Sequence, residues 1–524
     1  MSDSHNHYAG TAPGDGSIMD PSTSTAHNHF VTHHTNHDVE HDQPQQANTQ
    51  LLPSHSSSDT PLLSEEDNGL AMVEEEEEMH HFSQPKPLST RMKWVQVAIV
   101  GSLAFATPLG SSIYTPALPQ LISELSPSED PSLATLTISA YIFGFSTGPL
   151  LIAPLSAVYG KVRLYRLCAV LWALFSALAA VAPNIWSLVA LRFLAGCVGG
   201  TPMVLGSSTV ADLFDKEVRG RALSFIAVGS VSAPLVGPAA GGRIAQSALG
   251  WRGCFVLLAC VGVVNAALTF VGLRESAPDG TSEKSAAPKK TAVLLRDAAV
   301  RPLTILLHPS VASIVILSSF FYSVQVWLYV DVPARYEDVY SFSPAEAGSV
   351  FIFMGIGTLV GLLVCGTLSD RVIATRAARS EDGEKRAEHR LPLTVSGGAI
   401  VSLSMVLYSF GAERDTWWVI PACGNALMGM GLFAISMSSA LFLVDLSTKQ
   451  AVSTSAAMGL VRFAMGSLSA MLMSRLESSL GFTVLHSGVI FCSCLATWFG
   501  YWLFKNGKRL QNDKDLEEFA YTSK

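Results

Sequence analysis

The sequence predicts an all-α polytopic membrane protein of twelve transmembrane helices in two six-helix pseudo-repeat bundles. The chain has 524 residues, of which 49% are hydrophobic and only 15% are charged. Twelve apolar runs of about 18 to 25 residues follow residue 92, and a helix of that length crosses ~30 Å of hydrocarbon. A short sequence echo after the second and the eighth run indicates that the two halves are repeats.

The predicted spans are joined by short polar connections, except for one longer polar stretch after the sixth span. A helix satisfies its own backbone hydrogen bonds, which the hydrocarbon interior requires. The first six spans are residues 93–117, 133–153, 165–183, 186–211, 222–245 and 252–273. The last six are residues 311–331, 347–368, 391–411, 417–444, 454–474 and 483–504.

Lysine and arginine set the predicted orientation. With both termini in the cytoplasm, and with basic residues at span ends assigned to the adjoining loop, 27 of the 34 basic residues lie on the cytoplasmic side, 5 lie outside and 2 lie within spans. Positively charged loops stay in the cytoplasm, so this asymmetry supports the topology. We expect a multi-pass protein of the plasma membrane, with the vacuolar membrane as the alternative.

Composition divides the chain into five predicted segments. A polar N-terminal tail (1–90) and a C-terminal tail (505–524) enclose two six-helix bundles (91–273 and 311–504), which a linker (274–310) connects. The tails and the linker are predicted to be cytoplasmic. Eleven of the fourteen histidines lie in the N-terminal tail. Weak zinc or copper binding there is an alternative, but without fixed ligand spacing we predict a disordered, solvated tail and no metal site.

The echo lies in equivalent predicted loops of the two halves. The sequence "APLSAVYGKVR" (153–163) follows the second span, and "GTLSDRVIATR" (366–376) follows the eighth. Parallel six-span halves with a binding site between them at mid-depth are the architecture of rocker-type secondary transporters. The residues that we expect to act in conformational change here are Gly160, Lys161, Arg163, Asp370 and Arg371.

The fifth predicted span contains "GSVSAPLVGPAAGG" (229–242), with two prolines and four glycines in fourteen residues. Proline removes a backbone donor, and glycine permits close approach of two helices. We therefore expect a bent helix that packs tightly against a neighbour, and ordinary small-residue packing is the alternative. The residues singled out are Gly237, Pro238, Gly241 and Gly242.

These motifs resemble those of the major facilitator superfamily, and specifically its fungal twelve-span drug:proton antiporters. The sequence "APLVGPAAGG" (233–242) is similar to that family's fifth-helix antiporter motif, "LRFLAG" (191–196) to its fourth-helix arginine motif, and 153–163 to its loop motif. Further matches in style are "YTPALP" (114–119), "LGWRGCF" (249–255) and "ADLFDKEVRGRA" (211–222), which contains the candidates Asp212 and Arg219.

The resemblance covers roughly residues 90 to 505 and implies export of small molecules by alternating access, driven by the proton gradient. One departure concerns the loop motif, which usually carries an acidic residue where this chain has Ala157. We therefore expect Lys161 and Arg163 to lack their customary partner.

Two arginines are predicted inside spans, Arg192 in the fourth and Arg462 in the eleventh. An intramembrane arginine costs from about 2.5 kcal/mol upward and usually faces a partner or a water-filled cavity. Both are therefore candidates for the transport pathway. The structural alternative is snorkelling to an interface or pairing with a backbone carbonyl.

No Asp or Glu lies near the middle of a predicted span; Asp331 is placed at the outer end of the seventh. This predicts a positive cavity and a neutral or anionic cargo, because a guanidinium binds a carboxylate bidentately. Protons are then expected to travel through Asp331, through Asp212 or on the substrate itself. Polar and aromatic residues complete the expected substrate pathway: Tyr114, Tyr322, Gln325 and Asn425.

We predict a transporter and not an enzyme, since the histidines outside the tail are scattered. The expected partners are a small-molecule substrate (a drug-like molecule, secondary metabolite or organic acid), protons and the lipid bilayer. We expect no cofactor and no nucleic acid, and we expect a monomer. The alternatives are a facilitator or symporter for a small organic anion, and a sensor built on a transporter fold.

Overall fold

The computed structural model describes residues 88–125, 132–274, 300, 302–378, 387–413, 416–446 and 451–510. Residues 1–87 of the predicted N-terminal tail, most of the predicted linker and most of the C-terminal tail lie outside the described residues. The described residues form helices and short connections and contain no β-strand.

Among the described residues, twelve helical segments are long and apolar enough to cross a membrane. In the first half the helices are Thr90–Ser112, Leu118–Leu125, Ser132–Tyr159, Lys161–Ala180, Ile185–Gly199, Thr201–Leu213, Lys216–Ala245 and Gly250–Gly272. In the second half they are Pro309–Tyr340, Pro344–Ser349, Phe351–Ala377, Leu391–Glu413, Val419–Leu446, Ala451–Leu480 and Phe482–Leu510. The predicted twelve-span all-α fold is confirmed.

Three spans consist of two helices each because the local sequence interrupts the backbone ladder. Tyr114 and the 3₁₀ turn Thr115–Ala117 divide the first span, and Gly200 followed by Pro202 divides the fourth. Proline lacks the N–H that would continue the ladder. The eighth span begins with the short helix Pro344–Ser349, where Ser343 and Glu346 form a capping box.

The seventh span is longer than its apolar run predicted. It extends over Pro309–Tyr340, whereas the prediction ended at residue 331. The additional residues include Arg335, which makes an ion pair with Glu477 of the eleventh span. Paired charges let a helix continue past its apolar stretch, so hydropathy alone underestimated its length.

Buried apolar side chains form three clusters among the described residues. One runs from Val311 to Leu503 in the second half, and one centres on Tyr165 in the first half. The third centres on Tyr114 of the first half and includes Val326 and Ala470 of the second. Because the number of described spans is even, the start of the first span and the end of the last span lie on the same side of the membrane. We call this the terminal side and the other the distal side.

Two pairs of spans connect the halves. Between the second and eleventh spans, the Ser146 hydroxyl donates to the Leu460 carbonyl (2.9 Å), and the Ser467 hydroxyl donates to the Ser139 carbonyl (2.8 Å). Between the fifth and eighth spans, a Cβ on Gly242 would lie 2.1 Å from the Pro344 carbonyl oxygen. Only glycine permits so close a backbone approach.

Candidate functional site

A cavity of about 620 Å³ lies between the two halves, towards the distal side. The first and second spans line it from one half, and the seventh, eleventh and twelfth spans line it from the other. Apolar side chains such as Ile122 and Trp327 share its wall with charged ones. The charged lining residues are Asp331, Arg335, Asp338, Arg475 and Glu477.

Asp331 is buried inside the seventh span, with only 5% of its surface exposed. The Tyr408 hydroxyl of the ninth span donates a hydrogen bond of 2.5 Å to its Oδ2. Nε2 of His486, in the twelfth span, lies 3.6 Å from the same oxygen. Three spans therefore meet at one carboxylate.

The position of Asp331 corrects the expectation that carboxylates occur only at span ends. Nine residues separate Asp331 from the end of its helix, which is roughly 13 Å along the axis at 1.5 Å per residue. The cavity lining contains three acidic and two basic residues. The argument from an absent carboxylate to a positive cavity is therefore wrong.

Arg192 is 1% exposed and lies within the first half, away from the cavity lining. Its Nη2 donates to the Gly110 carbonyl (2.5 Å) of the first span. Its Cζ lies 3.8 Å from the Tyr141 ring centroid, 4.8 Å from that of Tyr114 and 5.5 Å from that of Phe255. This geometry corresponds to the structural alternative of carbonyl pairing, reinforced by cation–π contacts worth up to about 2 kcal/mol when desolvated.

Arg462 and Tyr322 meet in the second half. The Arg462 guanidinium donates to the Ser436 hydroxyl and lies 4.9 Å from the Tyr322 ring centroid. Phe463 contacts the ring of Tyr322 on one side and that of Phe145, in the second span, on the other. These two predicted residues therefore lie beside the contact between the halves.

The remaining predicted pathway residues are not brought to the cavity. Gln325 is half-buried and does not line the cavity. Asn425 is 1% exposed, and both polar atoms of its side chain lack a hydrogen-bond partner among the described residues. Tyr114 is fully buried, and its hydroxyl lies 3.2 Å from that of Thr137.

The loop motif of the first half contains an ion pair that the sequence did not predict. Lys161 Nζ lies 2.6 Å from Asp212 Oδ2, so Lys161 pairs with a carboxylate other than the customary one, whose place in the loop is occupied by Ala157. Gly160 has a positive φ of 85° and precedes the third span. Arg163 is exposed. In the second copy Arg371 is exposed, while the side chain of Asp370 lies outside the described part of the structure.

Arg219 caps the end of the fourth span from the beginning of the fifth. Its Nε donates to the Phe214 carbonyl (2.9 Å), and its Nη2 donates to the Ala211 carbonyl (2.9 Å). The last carbonyls of a helix lack partners within the helix itself. The arginine therefore fixes the connection between the two spans.

The glycines of the fifth span pack against backbone. A Cβ on Gly241 would lie 1.5 Å from the Ile113 carbonyl oxygen, and one on Gly237 would lie 2.6 Å from the Ser112 hydroxyl oxygen. The contact between the halves is reciprocal, since a Cβ on Gly348 would lie 2.2 Å from the Pro238 carbonyl oxygen. The fifth span thus touches the other half through main chain, and it touches the first span through main chain and through the Ser112 hydroxyl.

The sequence of the chain also matches a known protein family. The sequence profile described as Major Facilitator Superfamily matches residues 100–473. The chain belongs to the major facilitator superfamily. In this superfamily member, the match extends across both halves and nearly all described spans.

Its relatives include fungal transporters. Efflux pump radE of Floropilus chiversii is 32% identical over 441 residues, which is 80% of this chain and 81% of the relative. MFS-type transporter tndD of Aspergillus flavipes is 33% identical over 418 residues, which is 76% of this chain and 77% of the relative. This superfamily member is a transporter of small compounds and not an enzyme.

A solved structure supports the fold. The crystal structure of a bacterial homolog to the human lysosomal transporter Spinster, inward-facing and unoccupied, matches with a TM-score of 0.57. The identity is 13%, and the match covers 81% of this superfamily member and 99% of the bacterial chain. This likeness concerns the fold alone.

Sequence reasoning missed four residues of the cavity region: His486, Tyr408, Arg335 and Glu477. His486 stands alone in its predicted span, and its partners come from other spans. Arg335 and Glu477 lay beyond the predicted span ends. The one available signal was the spacing of Asp331 and Arg335, which places both on one side of a continued helix.

Proposed function

We propose that this transporter exports a small organic compound from the cytoplasm by alternating access, in exchange for protons. The supporting observation is the cavity of about 620 Å³, whose walls come from both halves. A pocket for a drug-like ligand has a volume of roughly 300 to 1,000 Å³. Because both halves line it, relative movement of the halves changes its access.

The cavity supports a largely apolar cargo with polar groups. Trp327, Phe482 and Ile122 supply apolar surface, and the charged side chains of the wall have both signs. A cargo that is uncharged, or that carries one hydrogen-bonding group, fits this mixture better than an ion of either sign. A positively charged cavity would favour an acidic cargo, but Asp331 and Glu477 also line this cavity and would repel an anion.

Three further properties belong to this proposal. The relative named efflux pump radE supports an outward direction of transport. The distribution of basic residues supports cytoplasmic termini, which makes the terminal side cytoplasmic. We also propose that the transporter works as a monomer in the plasma membrane.

Inside-out vesicles with an imposed pH gradient test the proposal. Ethidium serves as a hydrophobic cation, fluorescein as an organic anion and Nile red as a neutral probe. We expect accumulation of Nile red that disappears when a protonophore collapses the gradient. Nile red uptake that does not depend on the pH gradient would support a facilitator. Preferential accumulation of ethidium would contradict the proposed cargo class.

The same vesicles with Arg192→Ala test the predicted role of Arg192. A lower rate at an equal amount of folded protein supports a place in the transport mechanism. An unchanged rate removes Arg192 from the mechanism and leaves it a structural role.

A further inference from the structure

A buried pair of ionisable side chains lies at the cavity wall, where Asp331 lines the cavity and His486 does not. The side chains of Asp331 and His486 are 3% and 1% exposed. His486 is enclosed by aromatic rings, with centroid distances of 3.7 Å to Phe482 and 4.6 Å to Trp327. Its Nδ1 lies 3.0 Å from the Phe482 carbonyl oxygen of its own helix. The other ring nitrogen, Nε2, faces Asp331.

We propose that Asp331 and His486 together form the proton-binding site of this transporter, with Asp331 as the group that protons reach from the cavity. The inference rests on the proposed proton exchange and assigns it to particular side chains. Asp331 lines the cavity, whereas His486 does not. Protons in the cavity therefore meet the carboxylate first and the imidazole second.

Charged and titratable side chains of four spans surround the site. The seventh span contributes Arg335, Glu337 and Asp338; the ninth contributes Tyr408; the eleventh contributes Arg475 and Glu477; and the twelfth contributes His486. Arg335 is held by Glu477 at 2.7 Å. Its positive charge is thus largely matched, and the groups nearest to the Asp331 carboxylate are the His486 imidazole, the Tyr408 hydroxyl and the Glu477 carboxyl.

Proton binding changes the charge of the pair and breaks no covalent bond. Without the extra proton, the pair consists of a carboxylate and a neutral imidazole and has one net negative charge. One proton from water in the cavity binds a carboxylate oxygen of Asp331, and the net charge becomes zero. Tyr408 keeps its hydrogen bond to Oδ2 in the first state.

This charge change links proton binding to movement of the halves. A net charge costs more free energy when water leaves its surroundings, because the local dielectric constant falls. Closure of the cavity removes water from Asp331. The closed arrangement therefore favours the protonated pair, and the open arrangement permits release. Such a link is what exchange of cargo against protons requires.

Infrared difference spectra between about pH 5 and 8, the range in which histidine commonly titrates, test proton binding without any cargo. We expect a carboxylic acid band in the purified full chain that Asp331→Asn removes. His486→Gln should shift its midpoint by about one pH unit or more, a tenfold change in proton affinity. The matched controls, Asp215→Asn and His389→Gln, lie outside the cavity lining and should leave the band unchanged.

The proposed site is wrong if the carboxylic acid band remains in Asp331→Asn, or if its pH midpoint is unchanged in His486→Gln. This conclusion holds whatever the transport assays show. Conversely, a band that depends on both residues upholds the site even if no probe is exchanged for protons. Failure of the site and failure of the proposed function are thus separate results. Tyr408→Phe removes only the hydroxyl and should also shift the midpoint.

Transport in proteoliposomes with Nile red provides the functional test. Asp331→Asn and His486→Gln should retain downhill exchange of the probe and lose acceleration by a pH gradient. A purely structural role would lower both rates together. Retention of full gradient dependence by both variants would overturn the proposal.

Discussion

The guanidinium of Arg192 is stabilised by a carbonyl and three aromatic rings that come from the first, second and sixth spans. The nearest ring, that of Tyr141, lies 3.8 Å from its Cζ, and the phenol hydroxyl of Tyr141 in turn donates to the Thr107 carbonyl (2.9 Å). A planar guanidinium can stack on a ring and donate at its edge simultaneously. A lysine ammonium cannot reproduce this combination.

Arg192→Lys is therefore expected to lower the stability of the first half although it keeps the charge. The expected loss is about 2 kcal/mol, the size of a desolvated cation–π contact. It should appear as a lower midpoint of thermal unfolding of the purified protein. Arg243→Lys is the matched control, because Arg243 is exposed and its Nη1 donates to the Ala239 carbonyl of its own helix. Equal midpoints for the two variants would contradict this account.

At this scale the sequence predicted the unusual residues but not their partners. Arg192 stands out because it is charged within an apolar run. Its partners are far away in the chain, and no local pattern shows that Gly110 and Tyr141 will surround it. Asp331 and His486 likewise become one cluster only when the seventh and twelfth spans pack together.

Helices of the fifth and eighth spans approach so closely that side-chain volume decides their contact. Gly242 faces the Pro344 carbonyl, and Gly348 faces the Pro238 carbonyl. Neither glycine has positive φ, so the requirement is space and not backbone conformation. The tight packing expected from the composition of the fifth span is thus directed in part towards the other half.

Gly242→Ala is expected to separate the halves at this contact. The added Cβ would lie 2.1 Å from the Pro344 carbonyl oxygen, and overpacking typically costs about 1 to 3 kcal/mol. A cost of this size shifts a two-state equilibrium by roughly 5- to 150-fold. We expect faster reaction of a thiol reagent with a cysteine introduced at Ile122 in the cavity wall.

The twelfth span provides the control for this experiment. A Cβ on Gly488 would meet no heavy atom within 4 Å, so Gly488→Ala should leave the labelling rate unchanged. If Gly242→Ala behaves like Gly488→Ala, the glycine contact does not hold the halves together.

The existence and order of the elements were predictable because a span needs a long apolar run. Their ends were less predictable, since the seventh span continues to Tyr340 through charged residues that pair inside the protein. The ion pair between Lys161 and Asp212 was missed for a different reason. The loop departs from the family pattern at Ala157, and Lys161 instead pairs with Asp212, which is distant in the sequence.

At the scale of the whole molecule, alternating access requires the second and eleventh spans to move apart. The structure brings Ser139 and Ser467 together at 2.8 Å between the hydroxyl and the carbonyl oxygen. Phe145 and Phe463 add an aromatic contact with a centroid distance of 5.8 Å nearby. Movement of the halves must break these contacts.

A covalent connection at this place is expected to stop transport. We predict that Ser139→Cys with Ser467→Cys, joined by a short bifunctional thiol reagent, loses most of the Nile red exchange. The background must lack the eight native cysteines, all of which are free in the described structure. Each single cysteine variant, treated with the same reagent, is the control. Full exchange in the joined protein would show that these spans need not separate.

The serine hydroxyls between the halves have a second acceptor within reach. In a helix, a serine hydroxyl readily donates to a carbonyl three or four residues earlier in the same chain. Ser469 already shows this double choice, since its hydroxyl contacts both the Ser323 carbonyl and the Gly466 carbonyl at 2.8 Å. When the second and eleventh spans part, Ser146 and Ser467 can rotate back to their own helices. Each hydroxyl then keeps a hydrogen-bond acceptor. The free-energy cost of breaking these polar contacts, when the two bundles move relative to each other, is therefore low.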